Sequence, residues 1–256
     1  MKPVIFLSAL LICTCALAQS GSLVSKVYTW DNSSVSSKKK ATTREIFSGS
    51  GAILSQHEMR GIELAKRQSK NYKANANGNE RFFVIKKGPV KVSLNGKEYT
   101  VDRGSVIFVL PGDQMTIENA GDQTAAYYAM VYHSKAPVDA ERGKKSGPSF
   151  VMDWKDMIAK PTDKGSTRQL FDRQTAMLNR FDIHVTQLNQ GFKSHDPHTH
   201  TNEEIILMLD GNAEMQIGTD HQKANGGDVV LLNSMVLHNL TNVGTTPCLY
   251  FAIQWN

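Results

Sequence analysis

The chain has 256 residues, 40% of them hydrophobic and 21% charged, with 19 glycines and 8 prolines. That is ordinary globular composition, which excludes collagen-like, low-complexity and wholly disordered chains. The net charge of +5, from 29 basic and 24 acidic residues, is too slight an excess to indicate a nucleic-acid partner, and none is expected.

The chain opens with Met1-Lys2-Pro3, a basic start. Val4 to Leu17 follows, apolar apart from Ser8 and Thr14, and Ala16 and Ala18 are small residues where a signal peptidase reads. This pattern predicts a secretory signal peptide over residues 1–18, cleaved near Ala18, and a secreted or periplasmic product. A stretch of fourteen residues is too short to span a hydrocarbon core of about 30 Å, so no stable membrane insertion is expected. Cleavage removes Cys13 and Cys15 and leaves Cys248 alone, so the mature protein has no internal disulfide. Residues 19–41, with several serines and Lys38-Lys39-Lys40, read as a mobile N-terminal arm.

Beyond the arm the chain repeats itself. At a shift of 124, Val27, Trp30 and the run Thr43 to Phe47 fall on Val151, Trp154 and Thr167 to Phe171. After a one-residue deletion, Glu80, Gly104, Asn119 and Tyr127 meet Glu203, Gly227, Asn242 and Tyr250. The mature chain is therefore two copies of one domain, at about 27–132 and 151–255, joined by a Lys-, Gly- and Pro-rich linker over 133–150. Each copy reads as β. In the first, Val90 to Leu94 alternates strictly and is followed by Asn95-Gly96, a strong hairpin signal. Strands are expected near 105–110 and 125–132. In the second they fall near 204–209, 213–217, 228–232 and 248–255, with Asp210-Gly211 as a turn. Many short strands at regular spacing predict an all-β sandwich or barrel.

The chemistry concentrates in the second copy, in His195-Asp196-Pro197-His198-Thr199-His200-Thr201-Asn202-Glu203-Glu204. On a strand His198 and His200 share a face, and Glu204 has the same parity. Two imidazoles and a carboxylate from one ribbon form half of a transition-metal site, and His238 follows across a hairpin. Four such ligands leave coordination positions open for water or substrate. The first copy has Asn75, Asn77, Arg81 and Met115 at the corresponding positions, so its barrel should hold no metal.

These spacings resemble the two motifs of the cupin superfamily. The first, G-x5-H-x-H-x3,4-E-x6-G, is met by His198, His200, Glu204 and Gly211, with Gly191 one residue further away. In the second, G-x5-P-x-G-x2-H-x3-N, Gly227, His238 and Asn242 keep their spacing, while Asn233 and Met235 replace the Pro and Gly. The resemblance covers both copies. It implies a bicupin, two tandem double-stranded β-helix (jelly-roll) barrels, with His198, His200, Glu204 and His238 as ligands of one divalent transition metal: Mn, Fe, Co, Ni, Cu or Zn. One active and one silent barrel is similar in layout to the ureidoglycine aminohydrolase-like bicupins.

His195, outside the quartet, is a candidate proton carrier. Met208, Gln187 and Gln254 are candidate pocket residues for a small-molecule ligand. His184 sits on the same predicted strand as Gln187, and which of these faces the cavity stays open. The expected function is that of an exported mononuclear metalloenzyme acting on a small oxygen-rich acid, sugar or ureido compound. Such an enzyme could be of dioxygenase, isomerase, decarboxylase or hydrolase type. The alternative is a non-catalytic binding module. A homo-oligomer is compatible with either.

Overall fold

A computed structural model describes residues 21–38, 41–74 and 78–256. The leader at 1–18 and the asparagines at 75 and 77 lie outside the described residues. Every strand pairing between named strands is antiparallel. Each copy forms a large sheet and a small one. In the first copy the small sheet has four strands, Ser69–Tyr72, Met115–Asn119, Val90–Leu94 and Lys97–Val101; in the second it has three, Asp220–Asn225, Asn212–Ile217 and His238–Asn242. The Asn95-Gly96 turn is formed as expected, with both residues at positive φ, +49° and +83°.

The two large sheets have seven strands each, and sequence pattern explains why their central strands read as unbroken apolar runs. In Glu80–Lys87, Phe82 and Val84 point into a core shared by both copies, while Phe83 and Ile85 point into their own barrel. In Glu203–Asp210, Ile205 and Leu207 enter the shared core, and Ile206 and Met208 the second barrel. A sheet covered on both faces selects apolar residues at every position, whereas Val90–Leu94, with one face toward solvent, alternates.

Two expectations about boundaries are corrected. The arm at 19–41 is built into sheets in two places: Lys26–Tyr28 pairs with Val229–Leu231 of the second copy, and Ser34–Lys38 with Ala41–Glu45 of the first. Reciprocally, Phe150–Met152, which opens the second copy, pairs with Val106–Phe108 of the first. Each repeat thus lends its first strand to the other's sheet. The linker at 133–150 is also ordered. It ends the strand Ala125–Ser134 and carries a helix, Ala140–Ser146, capped by the Asp139 side chain accepting from Arg142 N at 2.8 Å. Arg142 Nε donates to Thr175 O at 2.8 Å and ties this helix to the second copy.

The exchange is pinned by a matched pair of buried carboxylates. Glu80 accepts from Thr175 Oγ1 and Ala176 N, both at 2.7 Å. Its counterpart Glu203 accepts from Ala52 N at 3.0 Å and Trp255 Nε1 at 3.1 Å. Glu203 therefore binds the first copy's loop and not the cluster around His198. Asn119 and Asn242 are likewise equivalent: each donates through Nδ2 to two carbonyls, Leu64 and Gln123 or Leu188 and Thr246, at 2.7–2.9 Å.

Candidate metal centre

His198, Thr199 and His200 are not in regular strand. One isolated antiparallel bridge, His198 to His238, holds this stretch against the small sheet, with backbone bonds of 3.2 and 3.0 Å. The shared face expected from strand parity is replaced by this bridge, because Asp196-Pro197 breaks the run. Glu204 does lie in its strand, Glu203–Asp210. The four side chains converge: the ring centroids of His198, His200 and His238 stand 4.8–5.3 Å apart, and Glu204 Oε2 is 3.2 Å from both His200 Nε2 and His238 Nε2.

Backbone carbonyls fix the two imidazoles. A carbonyl only accepts, so His200 Nδ1–H donates to Asn202 O at 2.9 Å and His238 Nδ1–H to Val236 O at 2.8 Å. In the neutral rings both Nε2 atoms then carry lone pairs directed at a carboxylate. Three acceptors cannot converge without positive charge between them. The buried His238 Nε2 has no hydrogen-bond partner. This donor set fits a divalent transition metal, with outer carbonyls orienting the rings. Without a cation, protons supply the charge. Burial pushes the Glu204 carboxyl up, but the His200 and His238 imidazoles outweigh it and bring it down to about 2. The carboxylate in turn raises His200. Gln254 Nε2 donates to Glu204 Oε1 at 3.2 Å, leaving Oε2 for the imidazoles, and Asn202 Nδ2 holds Gln254 Oε1 at 3.3 Å.

The cluster sits in a cavity of about 470 Å³. Ile206, Met215 and Leu240 supply apolar wall, and Thr186, Gln187 and Tyr250 polar wall. Gln187, Gln254 and His184 all line it. Met208 does not: it is fully buried among the second barrel's core side chains, with Ala213, Met215 and Cys248. It shares the face of Glu204 and Ile206, but the barrel interior is already filled at its level. The sequence reading missed Lys164 and Thr167, from the hairpin of Lys160–Thr162 and Gly165–Arg173. Lys164 Nζ donates to Ser194 O at 3.1 Å, joining that hairpin to the loop before His198. Both follow from the register, in which Ser166 faces Gln187 and Thr167 faces Thr186, and that register is not readable from one strand alone.

The two departures from the second motif have physical outcomes. Asn233 donates its backbone N–H to Ser25 Oγ at 2.8 Å and its Nδ2 to Leu23 O at 3.0 Å, which proline could not do through its nitrogen. Met235 adopts φ +63°, the conformation that glycine accepts most readily. In the first copy, Arg81 stands where Glu204 stands in the second. Its guanidinium donates to Lys73 O at 3.3 and 3.4 Å, while Met115 is buried in that barrel's core. The Tyr72 and Tyr127 hydroxyls meet at 3.0 Å inside this copy.

Known proteins share this plan. The cupin domain family matches residues 184–254, and the AraC-like ligand binding domain family matches residues 68–157. Among solved structures, the oxalate decarboxylase of Lactobacillus farciminis, in its formate complex, superposes with a TM-score of 0.69 at 12% identity, covering 92% of this chain and 87% of that one. A glyoxylate-induced protein of Pseudomonas aeruginosa gives 0.67 at 17% identity, covering 87% and 83%. A cupin 2 conserved barrel domain protein of Leptotrichia buccalis gives 0.62 at 13% identity, covering 93% and 100%. At these identities the likeness is one of fold. No curated protein matches the sequence. The two family matches, the two barrels and the shared fold together support the cupin superfamily and a tandem cupin layout for this chain.

Proposed function

We propose that this is an exported bicupin whose second barrel binds one divalent transition metal through His198, His200, Glu204 and His238. It acts on a small, oxygen-rich molecule admitted to the 470 Å³ cavity. The observation that carries the reading is the pair of Nε2 atoms, on His200 and His238, each 3.2 Å from one carboxylate oxygen, with both Nδ1 atoms tied to carbonyls. The metal would polarise a carboxylate or carbonyl, or lower the pKa of bound water. The chain's own residues do the rest. Gln254 orients Glu204, Asn202 O and Val236 O orient the rings, and Thr186, Gln187 and Tyr250 offer hydrogen bonds to oxygens of the ligand. The apolar leader at 1–18 supports export.

A second reading, a binding module without turnover, is favoured by the match of residues 68–157 to a ligand-binding family. Elemental analysis of the purified protein tests the metal, and screens with small acids and sugars separate turnover from binding. About one metal per chain is expected. The double variant His198→Ala, His200→Ala should lose it, since half of the ligand set is gone; full retention would sink the assignment.

A further inference from the structure

The strand before the metal cluster differs between the two copies. In the first, Ser69–Tyr72 pairs without interruption with Met115–Glu118. In the second, the pairing is reduced to two isolated bridges, Lys193 with Thr241 and His198 with His238. The 193–198 side therefore carries two more residues than the side it faces, a bulge through His195, Asp196 and Pro197. Bulges re-aim side chains. This one is held on both flanks: Ser194 N donates to Leu240 O at 2.8 Å, and Asn239 Nδ2 to His195 O at 3.3 Å.

The bulge turns His195 onto the cluster. Its ring centroid is 4.1 Å from that of His198 and 5.9 Å from that of His238. His195 Nδ1 and His198 Nδ1 face each other at 2.9 Å. Two imidazole nitrogens at that distance need a hydrogen or a cation between them. In the ion-free protein a hydrogen on His195 Nδ1 serves both His198 and the Asp196 carbonyl, also 2.9 Å away. An ion can take its place: two nitrogens each about 2.1 Å from a metal stand about 3.0 Å apart at a right angle and about 3.4 Å apart at the tetrahedral angle, so the rings need part by no more than about 0.5 Å. Ligand atoms of His195, His198 and His238 all lie within 4.8 Å of one another, as do those of His200, Glu204 and His238.

We propose that His195 is a metal ligand, and that His195, His198 and His238 form an outer, all-imidazole seat beside the inner seat of His200, Glu204 and His238. This deepens the metal-centre reading and rests on it. His238 belongs to both seats and its Nδ1 is committed to Val236 O, so the seats compete for one ion. Their chemistry differs. Three neutral imidazoles suit Zn(II), Cu(II), Ni(II) and Co(II); the carboxylate of the inner seat also suits Mn(II). His195 then serves as ligand in place of proton carrier.

The test uses the full-length mature protein loaded with Co(II), Zn(II) or Mn(II), with folding checked by circular dichroism and thermal melts. His195→Ala should weaken Zn(II) by at least about tenfold while changing Mn(II) less, and should alter the Co(II) absorption spectrum. His200→Ala should keep one Co(II) per chain, lost on adding His195→Ala. An unchanged Zn(II)-to-Mn(II) affinity ratio and Co(II) spectrum in His195→Ala would overturn the outer seat while leaving the four-ligand centre standing. So would loss of all Co(II) in His200→Ala alone. Wild-type protein that takes up none of the three metals would overturn the centre itself.

Discussion

His57 lies between the two copies, its ring 5.0 Å from those of Phe47 and Trp255, in edge-to-face contact with both. The equivalent position in the second copy is Phe181. The imidazole is fully buried and Nε2 has no partner, and burial lowers its pKa from 6.5 to about 3. The unfolded chain takes up a proton at His57 below pH 6.5, while the folded chain stays neutral down to about 3. Stability contributed here is therefore present above pH 6.5 and lost as the pH falls toward 3, by up to about 1.4 kcal/mol per unit. His57→Phe should shrink the stability difference between pH 6.5 and pH 4.5 by about 2 kcal/mol in urea titrations. Equal acid sensitivity in variant and wild type would clear His57. Glu80 acts in the opposite sense, since burial raises its carboxyl, so comparison of variant with wild type isolates the histidine.

At the scale of elements, the strand Lys26–Tyr28 matters more than its three residues suggest. It covers the edge of Val229–Leu232, and Val27 N and Trp30 N donate to Gln222 Oε1 and Asp228 Oδ1 at 2.9 and 3.0 Å. Removal of the residues up to Trp30 should uncover an apolar sheet edge and promote self-association, seen by light scattering. A truncated protein that stays monomeric with an unchanged melt would show that the strand is dispensable. This element also marks the limit of what was legible. Asn95-Gly96, the alternation of Val90 to Leu94 and the duplication are local or periodic signals, and the hairpin formed where expected. A serine-rich segment carries no local sign that a sheet edge some 200 residues away will order it, so it read as an arm. The gathering of His198, His200, Glu204 and His238 was legible from spacing. The bulge at His195 was not, because it is visible only in the unequal lengths of two facing segments. Met208 had the right parity and the wrong depth.

For the whole molecule, the shared core decides how it unfolds. Phe82, Phe108 and Tyr132 from one copy pack with Phe171 and Phe181 from the other, ring centroids 5.8–6.4 Å apart. With sheets completed by exchanged strands, neither copy has a closed surface of its own. Calorimetry should show one cooperative transition whose van't Hoff and calorimetric enthalpies agree. Residues 150–256 expressed alone should fail to give a soluble monomer. Two resolved transitions would contradict the coupling.

The exchange of first strands has a further consequence. The two repeats trade leading strands reciprocally, as the subunits of a two-fold pair would, yet both belong to one chain. In a symmetric pair each substitution is present in both barrels; in one chain each barrel carries its own. The two interiors accordingly differ. One holds the Tyr72–Tyr127 contact and has Arg81 where the other keeps Glu204. The other lines its cavity with His195.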